Sequence, residues 1–251
     1  MEKKQETVRL NKYLAECGVC SRRDGDKLIA SGKVTVDGRT AVMGERVTGM
    51  ETIAVQGKIL SGRNQKIVLA YYKPVGVTCT ERDKYAEKTV TEEIGYPVRV
   101  TYAGRLDKDS EGLLLLSNDG ELIRRMMKAS EKHEKEYRVR VDKEITEEFL
   151  NKMRDGVYLK ELDITTRPCK IKQTGKNTFQ IILTQGINRQ IRRMCRTFGY
   201  EVKALKRIRV MNITLNSLKP GEYRELTDIE MSELYKACGL KTNKGVCENG
   251  V

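Results

Sequence analysis

The chain contains one histidine, His133, and no tryptophan among its 251 residues. A single histidine argues against a catalytic triad built on histidine, and it cannot complete a typical zinc finger. No apolar run is long enough to span a membrane, and residues 1–7 are charged and lack the apolar core of a signal peptide. We therefore expect a cytoplasmic protein without a membrane span. The sequence also lacks a glycine-rich phosphate loop and a metal-ligand cluster, so we expect no cofactor and no metal.

Positive charge, in contrast, is abundant. Lysine and arginine total 48 against 35 acidic residues, which gives a net charge of +13 and a sequence pI near 9.4. Such an excess suggests a polyanionic partner, and nucleic acid is the first candidate. The seven cysteines are an odd number, and disulfides are rare in cytoplasmic proteins. Cys17 and Cys20 have redox or zinc spacing without a second pair, so we interpret the cysteines as reduced thiols used in packing.

The most informative stretch covers residues 104–120. Its four consecutive leucines, Leu113–Leu116, predict a short strand buried on both faces. Asn118 or Asp119 can cap the helix predicted to follow. Ahead of the strand lies a glycine-flanked loop that carries Asp107. A rigid strand can hold such a carboxylate in place for chemistry, although an isolated Arg-Leu-Asp is more simply a polar turn.

One long motif in this stretch carries a resemblance to a known family. It consists of Gly-Arg-Leu-Asp at residues 104–107, then Ser110, Gly112, the leucine run and Ser-Asn-Asp-Gly at residues 117–120. The motif resembles the active-site segment of the pseudouridine synthases that modify ribosomal RNA, in the RsuA/RluF branch, and is most similar to the RluF-type subgroup. The resemblance implies that Asp107 is the catalytic nucleophile. It leaves open whether the carboxylate attacks C1′ of the ribose or C6 of the base.

Residues 8–60 predict a compact basic unit of two small helices and a hairpin. Ser21 is the expected cap of the second helix, and Asp37-Gly38 is a strong hairpin turn. The segment resembles the S4 RNA-binding domain, which implies binding to structured RNA. Its basic side chains suit phosphate contacts, although each alone could be a solvated surface group. The candidates are Arg9, Lys12, Arg22 and Arg23.

The remaining domain boundaries follow from composition. Residues 61–65 are polar and predict a linker, residues 66–240 are the expected catalytic domain, and residues 241–251 predict a disordered tail.

Two further segments match elements of the same family. A predicted strand ends at Lys73-Pro74-Val75-Gly76, and the family has Lys-Pro-x-Gly at the start of its catalytic domain, so we assign Lys73 to RNA binding. Tyr137 begins a stretch in which apolar and basic residues alternate, typical of a half-buried strand. A tyrosine there is most simply a core residue. By the family's Lys-x-Tyr pattern, however, Tyr137 is implied to stack on the target base.

A helix rich in arginine is predicted after Asn188, which is a good cap, and before Gly199, which is a good stop. Its arginines recur at helical spacing on one face, and they should repel each other unless an anion is near. The resemblance implies that an arginine of this segment pairs with the catalytic aspartate, and Arg192 is our choice. The other expected RNA contacts of the catalytic domain are Arg105, Arg189, Arg193 and Arg196.

These observations predict an α+β protein. We expect a small N-terminal S4 (α-L-like) domain and a pseudouridine synthase domain with a mixed, mainly antiparallel sheet and flanking helices. The expected activity is isomerisation of a uridine to pseudouridine in a stem-loop of the peptidyl-transferase region of 23S ribosomal RNA. The alternatives are a synthase for the anticodon stem-loop of transfer RNA, and a non-catalytic RNA-binding factor in ribosome assembly. We expect a monomer.

Overall fold

The structure, a computed structural model, describes residues 7–80 and 89–241, which form two compact units. The first unit ends at Lys66 and includes Tyr96–Val100, and the second consists of Ile67–Gly95 and the chain from Thr101 onwards. The predicted boundaries did not set Tyr96–Val100 apart. Of the predicted tail, residues 242–251 lie outside the described residues. Within the two described ranges, no helix has the length and apolarity needed to cross a membrane.

The first unit packs two helices against short strands. Its elements are β1 (Val8–Arg9), α1 (Leu10–Glu16), α2 (Arg22–Ala30), β2 (Val34–Val36), β3 (Arg39–Thr40), β4 (Arg46–Val47), β5 (Ile53–Val55) and β6 (Lys58–Ile59). Ser21 caps α2 as predicted, because its hydroxyl accepts a hydrogen bond from the Asp24 N–H at 3.2 Å. Asp37 and Gly38 turn the chain between β2 and β3 with φ angles of 50° and 82°, which confirms the hairpin.

The second unit contains one large sheet and the remaining helices. Its elements are β7 (Val68–Lys73), α3 (Val90–Ile94), β8 (Thr101–Tyr102), β9 (Glu111–Ser117), α4 (Gly120–Met126), a 3₁₀ turn (Ala129–Glu131), β10 (Lys135–Val141), α5 (Glu147–Arg154), β11 (Tyr158–Leu159), a second 3₁₀ turn (Lys160–Leu162), β12 (Ile164–Thr165), β13 (Lys170–Gly175), β14 (Thr178–Leu183), α6 (Gln190–Thr197), β15 (Val202–Val210), β16 (Ile213–Thr214), β17 (Tyr223–Glu225) and α7 (Asp228–Ala237). The predicted leucine strand is β9, and its four leucines are fully buried.

The main strands of the large sheet follow the order β13-β14-β10-β15-β9-β7-β17, with β16 beside β15 and β8 beside β9. Strands β9 and β15 run parallel, and the other neighbouring pairs in this sheet run antiparallel. The expectation of a mixed, mainly antiparallel sheet with flanking helices is therefore confirmed. The parallel pair brings residues 206–207 beside residues 111–112, so a strand late in the chain lies next to the end of the Asp107 loop.

Each half of the sheet is covered by helices on a different face. On the face that we call the front, Val139, Phe179 and Leu205 pack against α5 and α6. On the opposite face, the back, Leu113 and Leu115 pack against α4 and α7. This division follows from side-chain alternation along paired strands.

Helices α4 and α7 are joined by a buried polar contact. Asp119 caps α4 by accepting from the Glu121 and Leu122 N–H groups at 3.0 and 3.2 Å, and its second oxygen accepts from the Tyr235 hydroxyl at 2.8 Å. Of the two predicted candidates, Asn118 and Asp119, the cap is Asp119, and its carboxylate also ties α7 to the start of α4.

The cysteines of the described residues behave as packing groups. All six are free thiols, and burial raises the pKa of Cys195 to about 12 and that of Cys169 to about 11. Thiols with such values are protonated and unreactive near neutral pH.

Candidate active site

Asp107 lies in a tight turn just before β9. The N–H of Ser110 donates to the Asp107 carbonyl at 3.1 Å, which closes the turn. Leu106 on one side and Ser110 on the other are buried, while the Asp107 side chain is 30% exposed. The chain therefore fixes the backbone at both ends of the turn and leaves the carboxylate accessible, as a nucleophile requires.

Two arginines at the start of α6 lie beside this turn, but they mainly bind Asp109. Arg189 Nη1 and Nη2 donate to the two carboxylate oxygens of Asp109 at 3.1 and 2.9 Å. Arg192 Nη2 donates to the Asp109 carbonyl at 2.9 Å and lies 3.3 Å from Asp109 Oδ2. Despite a desolvation cost, these arginines lower the pKa of Asp109 below its usual value. Arg192 also donates to the Ser110 hydroxyl at 3.2 Å, so it holds the loop that carries the nucleophile candidate.

Within the described residues, the cation that pairs with Asp107 differs from our expectation. Arg189 Nη1 lies 3.7 Å from Asp107 Oδ2, whereas the contacts of Arg192 are with Asp109, Ser110 and Val202. The expected Arg192–Asp107 pair is thus replaced by an Arg189–Asp107 pair. Both arginines lie on the turn side of α6, and the turn residue that meets each one depends on tertiary packing.

The start of α6 also differs from the prediction. The capping position is Arg189, in the left-handed conformation with φ 51°, and Asn188 does not cap the helix. Instead, the Gln190 side chain accepts from the Ile187 N–H at 3.2 Å, and the Asn188 carbonyl accepts from Arg193 Nε at 3.0 Å. A left-handed non-glycine residue costs of the order of 1–3 kcal/mol, so surrounding contacts must hold it in place. Here that conformation accompanies the contact between the Arg189 guanidinium and the Asp107 turn.

A row of paired residues crosses the front face beneath this turn. Lys73 pairs with Gly112, Gly112 with Arg207, Arg207 with Tyr137, and Tyr137 with Ile181. Gly112 has φ 110°, and a Cβ added there would lie 2.2 Å from the Arg207 carbonyl oxygen. Only glycine therefore allows β15 to approach β9 this closely. Because β10 pairs with the other edge of β15, Tyr137 lies one strand from Arg207 and two strands from Gly112.

Two buried cations in this row hold the backbone around Asp107. Arg207 is 3% exposed, and its guanidinium donates to the carbonyls of Leu113 and Arg105 at 2.7 and 3.4 Å. Lys73 is fully buried, and its ammonium donates to the carbonyls of Pro74 and Ser110 at 2.7 and 2.8 Å. Burial lowers the pKa of Lys73, an effect that nearby Cys79 and carboxylates oppose.

The assignment of Lys73 to RNA binding is therefore wrong for this structure. An ammonium group without solvent exposure cannot reach a phosphate, and its donors already bind loop carbonyls. Lys73 instead holds the turn through its hydrogen bonds to the Pro74 and Ser110 carbonyls. Nothing in the residues around Lys73 predicts this burial, because lysine is almost never fully buried.

Tyr137 is half-buried at the edge of the front-face core. Its neighbour two residues earlier, Lys135, points to the same face, and burial followed by the charge of Arg207 lowers the pKa of Lys135. The side chain of Tyr137 thus lies among cations, on the face that also carries the residues supporting the Asp107 turn. Its implied role in stacking on a base stays a prediction.

The remaining predicted RNA contacts differ in their availability. In the second unit, Arg105 and Arg196 are exposed, whereas Arg193 Nη1 forms an ion pair with Glu161 at 2.9 Å. The anions that accompany the arginines of α6 are thus carboxylates of the chain itself. In the first unit, Arg9, Arg22 and Arg23 are exposed, and Lys12 lies 3.6 Å from Glu16.

Sequence reasoning missed two residues that organise the site. Asp109 lies within the motif, two residues after Asp107, and that proximity was the available signal. Arg207 lies in a strand with several basic residues, and nothing local distinguishes it from its exposed neighbours. Among the described residues, no group of three histidine, cysteine or acidic side chains could hold a metal ion.

Comparison with known proteins gives matches over both units. Residues 67–197 match the family model described as RNA pseudouridylate synthase, and residues 8–53 match the S4 domain model. A curated relative from Escherichia coli, the dual-specificity RNA pseudouridine synthase RluF, is 44% identical over 92% of this chain and 79% of its own length. An uncharacterized RNA pseudouridine synthase from Aquifex aeolicus is 36% identical over 93% of this chain and 96% of its own. A crystal structure described as a pseudouridylate synthase has a TM-score of 0.67 and 27% identity, and the match covers 90% of this chain and 99% of that one.

Proposed function

This chain belongs to the family of RNA pseudouridine synthases that carry an S4 domain, and from that premise we propose that Asp107 is the nucleophile that isomerises a uridine in 23S ribosomal RNA. The proposed target is a stem-loop of the peptidyl-transferase region. The observation that carries the assignment is the position of the Asp107 carboxylate, which is partly exposed on a turn held by buried cations and lies 3.7 Å from Arg189.

The reaction breaks the glycosidic C–N bond, rotates the base, and forms a C–C bond between C5 and C1′. The hydrogen on C5 leaves to solvent and N1 gains a proton, so no group is added or lost overall. Asp107 must be ionised to attack, and a guanidinium at this distance stabilises a carboxylate charge. Arg189 provides this guanidinium in the proposed mechanism. Arg192 acts as a positioning residue through its contacts with Asp109 and Ser110.

The target base must first leave its stack, which costs a few kcal/mol. Stacking of a base on an aromatic ring contributes about 1–3 kcal/mol, so Tyr137 can offset much of this cost. The half-buried ring packs against the front-face core, and its strand neighbour Arg207 also donates to the Arg105 carbonyl. Arg105, Arg193 and Arg196 are the proposed RNA contacts around the site.

The first unit is proposed to hold a structured flank of the same RNA through Arg9, Lys12, Arg22 and Arg23. Three of these are exposed, and Lys12 is partly exposed and lies 3.6 Å from Glu16. Glu16 also pairs with Arg63 at 2.9 Å, so it keeps a partner when Lys12 binds a phosphate. A cytoplasmic location and a monomeric state also remain part of the proposal.

Release of tritium from RNA labelled at uridine C5 tests the proposal directly. We expect the wild-type protein to release tritium from unmodified 23S ribosomal RNA, and Asp107→Asn to bind the RNA with unchanged affinity but to release none. An Asp107→Asn protein with full activity would remove Asp107 from the mechanism.

Transfer RNA is the second candidate substrate, because the relative from Escherichia coli is named as a dual-specificity enzyme. Release from an anticodon stem-loop, measured beside a 23S fragment of equal length, separates the two substrates. If neither RNA released tritium while both bound tightly, a non-catalytic assembly factor would be the better description.

A further inference from the structure

The back face of strands β13, β14, β10 and β15 carries exposed positive charge. Lys172 pairs with Gln180, Gln180 with Arg138, and Arg138 with Lys206, so these side chains form one row across four strands. Arg140 follows Arg138 by two residues and points to the same face. Arg138, Arg140 and Lys172 are all exposed.

The carboxylates on this face already have other partners. Glu134 and Glu136 bind Arg209 at 3.0 and 2.8 Å, and Glu111 accepts a hydrogen bond from the Tyr72 hydroxyl at 3.0 Å. Lys206 lies over the Tyr72 ring, 4.5 Å from its centroid.

Arg138, Arg140 and Lys172, in contrast, form no ion pair within the described part of the chain. Strands are about 4.8 Å apart and alternate residues about 7 Å apart, so these three charges lie within a patch roughly 10 Å across. Like charges at this distance repel each other unless an anion binds between them.

We propose that this back-face basic surface, formed by Arg138, Arg140, Lys172 and Gln180, binds the phosphate backbone of an RNA segment remote from the target uridine. This proposal rests on the proposed function, which identifies RNA as the substrate. Guanidinium, ammonium and amide groups are the donors that fix RNA backbones without reading sequence. The surface is separate from the site, because Arg207 and Tyr137 lie on the front face of the same strands.

The salt dependence of RNA binding tests this surface. The test protein carries Arg138→Gln, Arg140→Gln and Lys172→Gln, and the control carries Lys152→Gln, Lys219→Gln and Lys236→Gln, which remove the same charge from exposed positions of the same unit. Each phosphate contact contributes about 0.7 to the slope of log affinity against log salt. We expect the test protein to lose about 2 from the slope measured with a long 23S fragment. Between 50 and 200 mM salt, the factor by which its affinity falls should then be about one sixteenth of the factor for wild type.

The activity assay gives a second readout. With the long fragment, we expect the KM of the test protein to rise several-fold at unchanged kcat, while a minimal stem-loop gives wild-type values for both. Equal slopes for the test and control proteins would overturn the proposal that this surface binds RNA. An acidic protein would then be the better candidate partner. If the wild-type protein released no tritium and the test protein still had the lower slope, the result would uphold RNA binding by this surface and reject the proposed function instead.

Discussion

Substitution of Gly112 by alanine is the most direct test of how the sheet builds the site. The new Cβ would lie 2.2 Å from the carbonyl oxygen and 2.7 Å from the nitrogen of Arg207, and neither backbone atom can rotate away. The φ angle of 110° adds a strain of about 1–3 kcal/mol for a non-glycine residue. Forced overpacking adds a further 1–3 kcal/mol or so. We therefore expect a loss of roughly 2–6 kcal/mol in the free energy of unfolding.

Gly76→Ala provides the matched control for this change. Gly76 has φ 96° in the same unit, and a Cβ there would meet nothing within 4 Å, so it carries the strain without the clash. Urea unfolding of both variants, with linear extrapolation to water, gives the difference. If Gly112→Ala lost no more stability than Gly76→Ala, the close approach of β9 and β15 would not be what glycine provides. The Gly112 variant should also lose more activity than its folded fraction explains, because Arg207 holds the Arg105 carbonyl.

Two further predictions concern charge and pH. Asp109→Asn should lower kcat for tritium release by about tenfold or more, since misplacing a catalytic group by about 1 Å can cost a hundredfold. The urea midpoint should change little, because the ion pairs of Asp109 are partly exposed. Unchanged kcat would mean that other contacts place Arg189. Burial and the charge of Lys135 lower the pKa of His133, so the unfolded chain binds this proton first. Stability should then fall as the pH drops through about 6.5 and below, by at most about 1.4 kcal/mol per pH unit. His133→Gln should flatten the unfolding free energy measured at pH 7.5, 6.5 and 5.5, and parallel profiles for the two proteins would contradict this reasoning.

Local patterns in the sequence were sufficient for several elements. Four leucines between turn residues predicted β9, Ser21 was recognised as a cap, and Asp119 was one of two cap candidates, because a cap bonds to residues two or three positions away. The same reasoning failed at α6, where Asn188 was expected and Arg189 holds the capping position. The alternation after Tyr137 predicted the face of β10 that is buried. The family motif then singled out Asp107 from the other carboxylates, a distinction that spacing alone could not make.

The partners of those residues depended on contacts between distant parts of the chain. Arg189 and Arg192 are three residues apart on α6 and look equivalent in the sequence, and the turn that they meet lies about eighty residues earlier. Lys73 and Arg207 resemble exposed basic residues until the register of β7, β9 and β15 buries them beneath that turn. In the same way, register and not composition separates the front face of β10 from its basic back face. The sequence by itself determined most of the elements, because these follow from local periodicity and capping, and its resemblance to a family motif pointed to Asp107 as the candidate nucleophile. Only the tertiary structure decided which cation meets which carboxylate and which cations are buried, because the docking of α6 and the register of the strands are set by packing across the whole sheet.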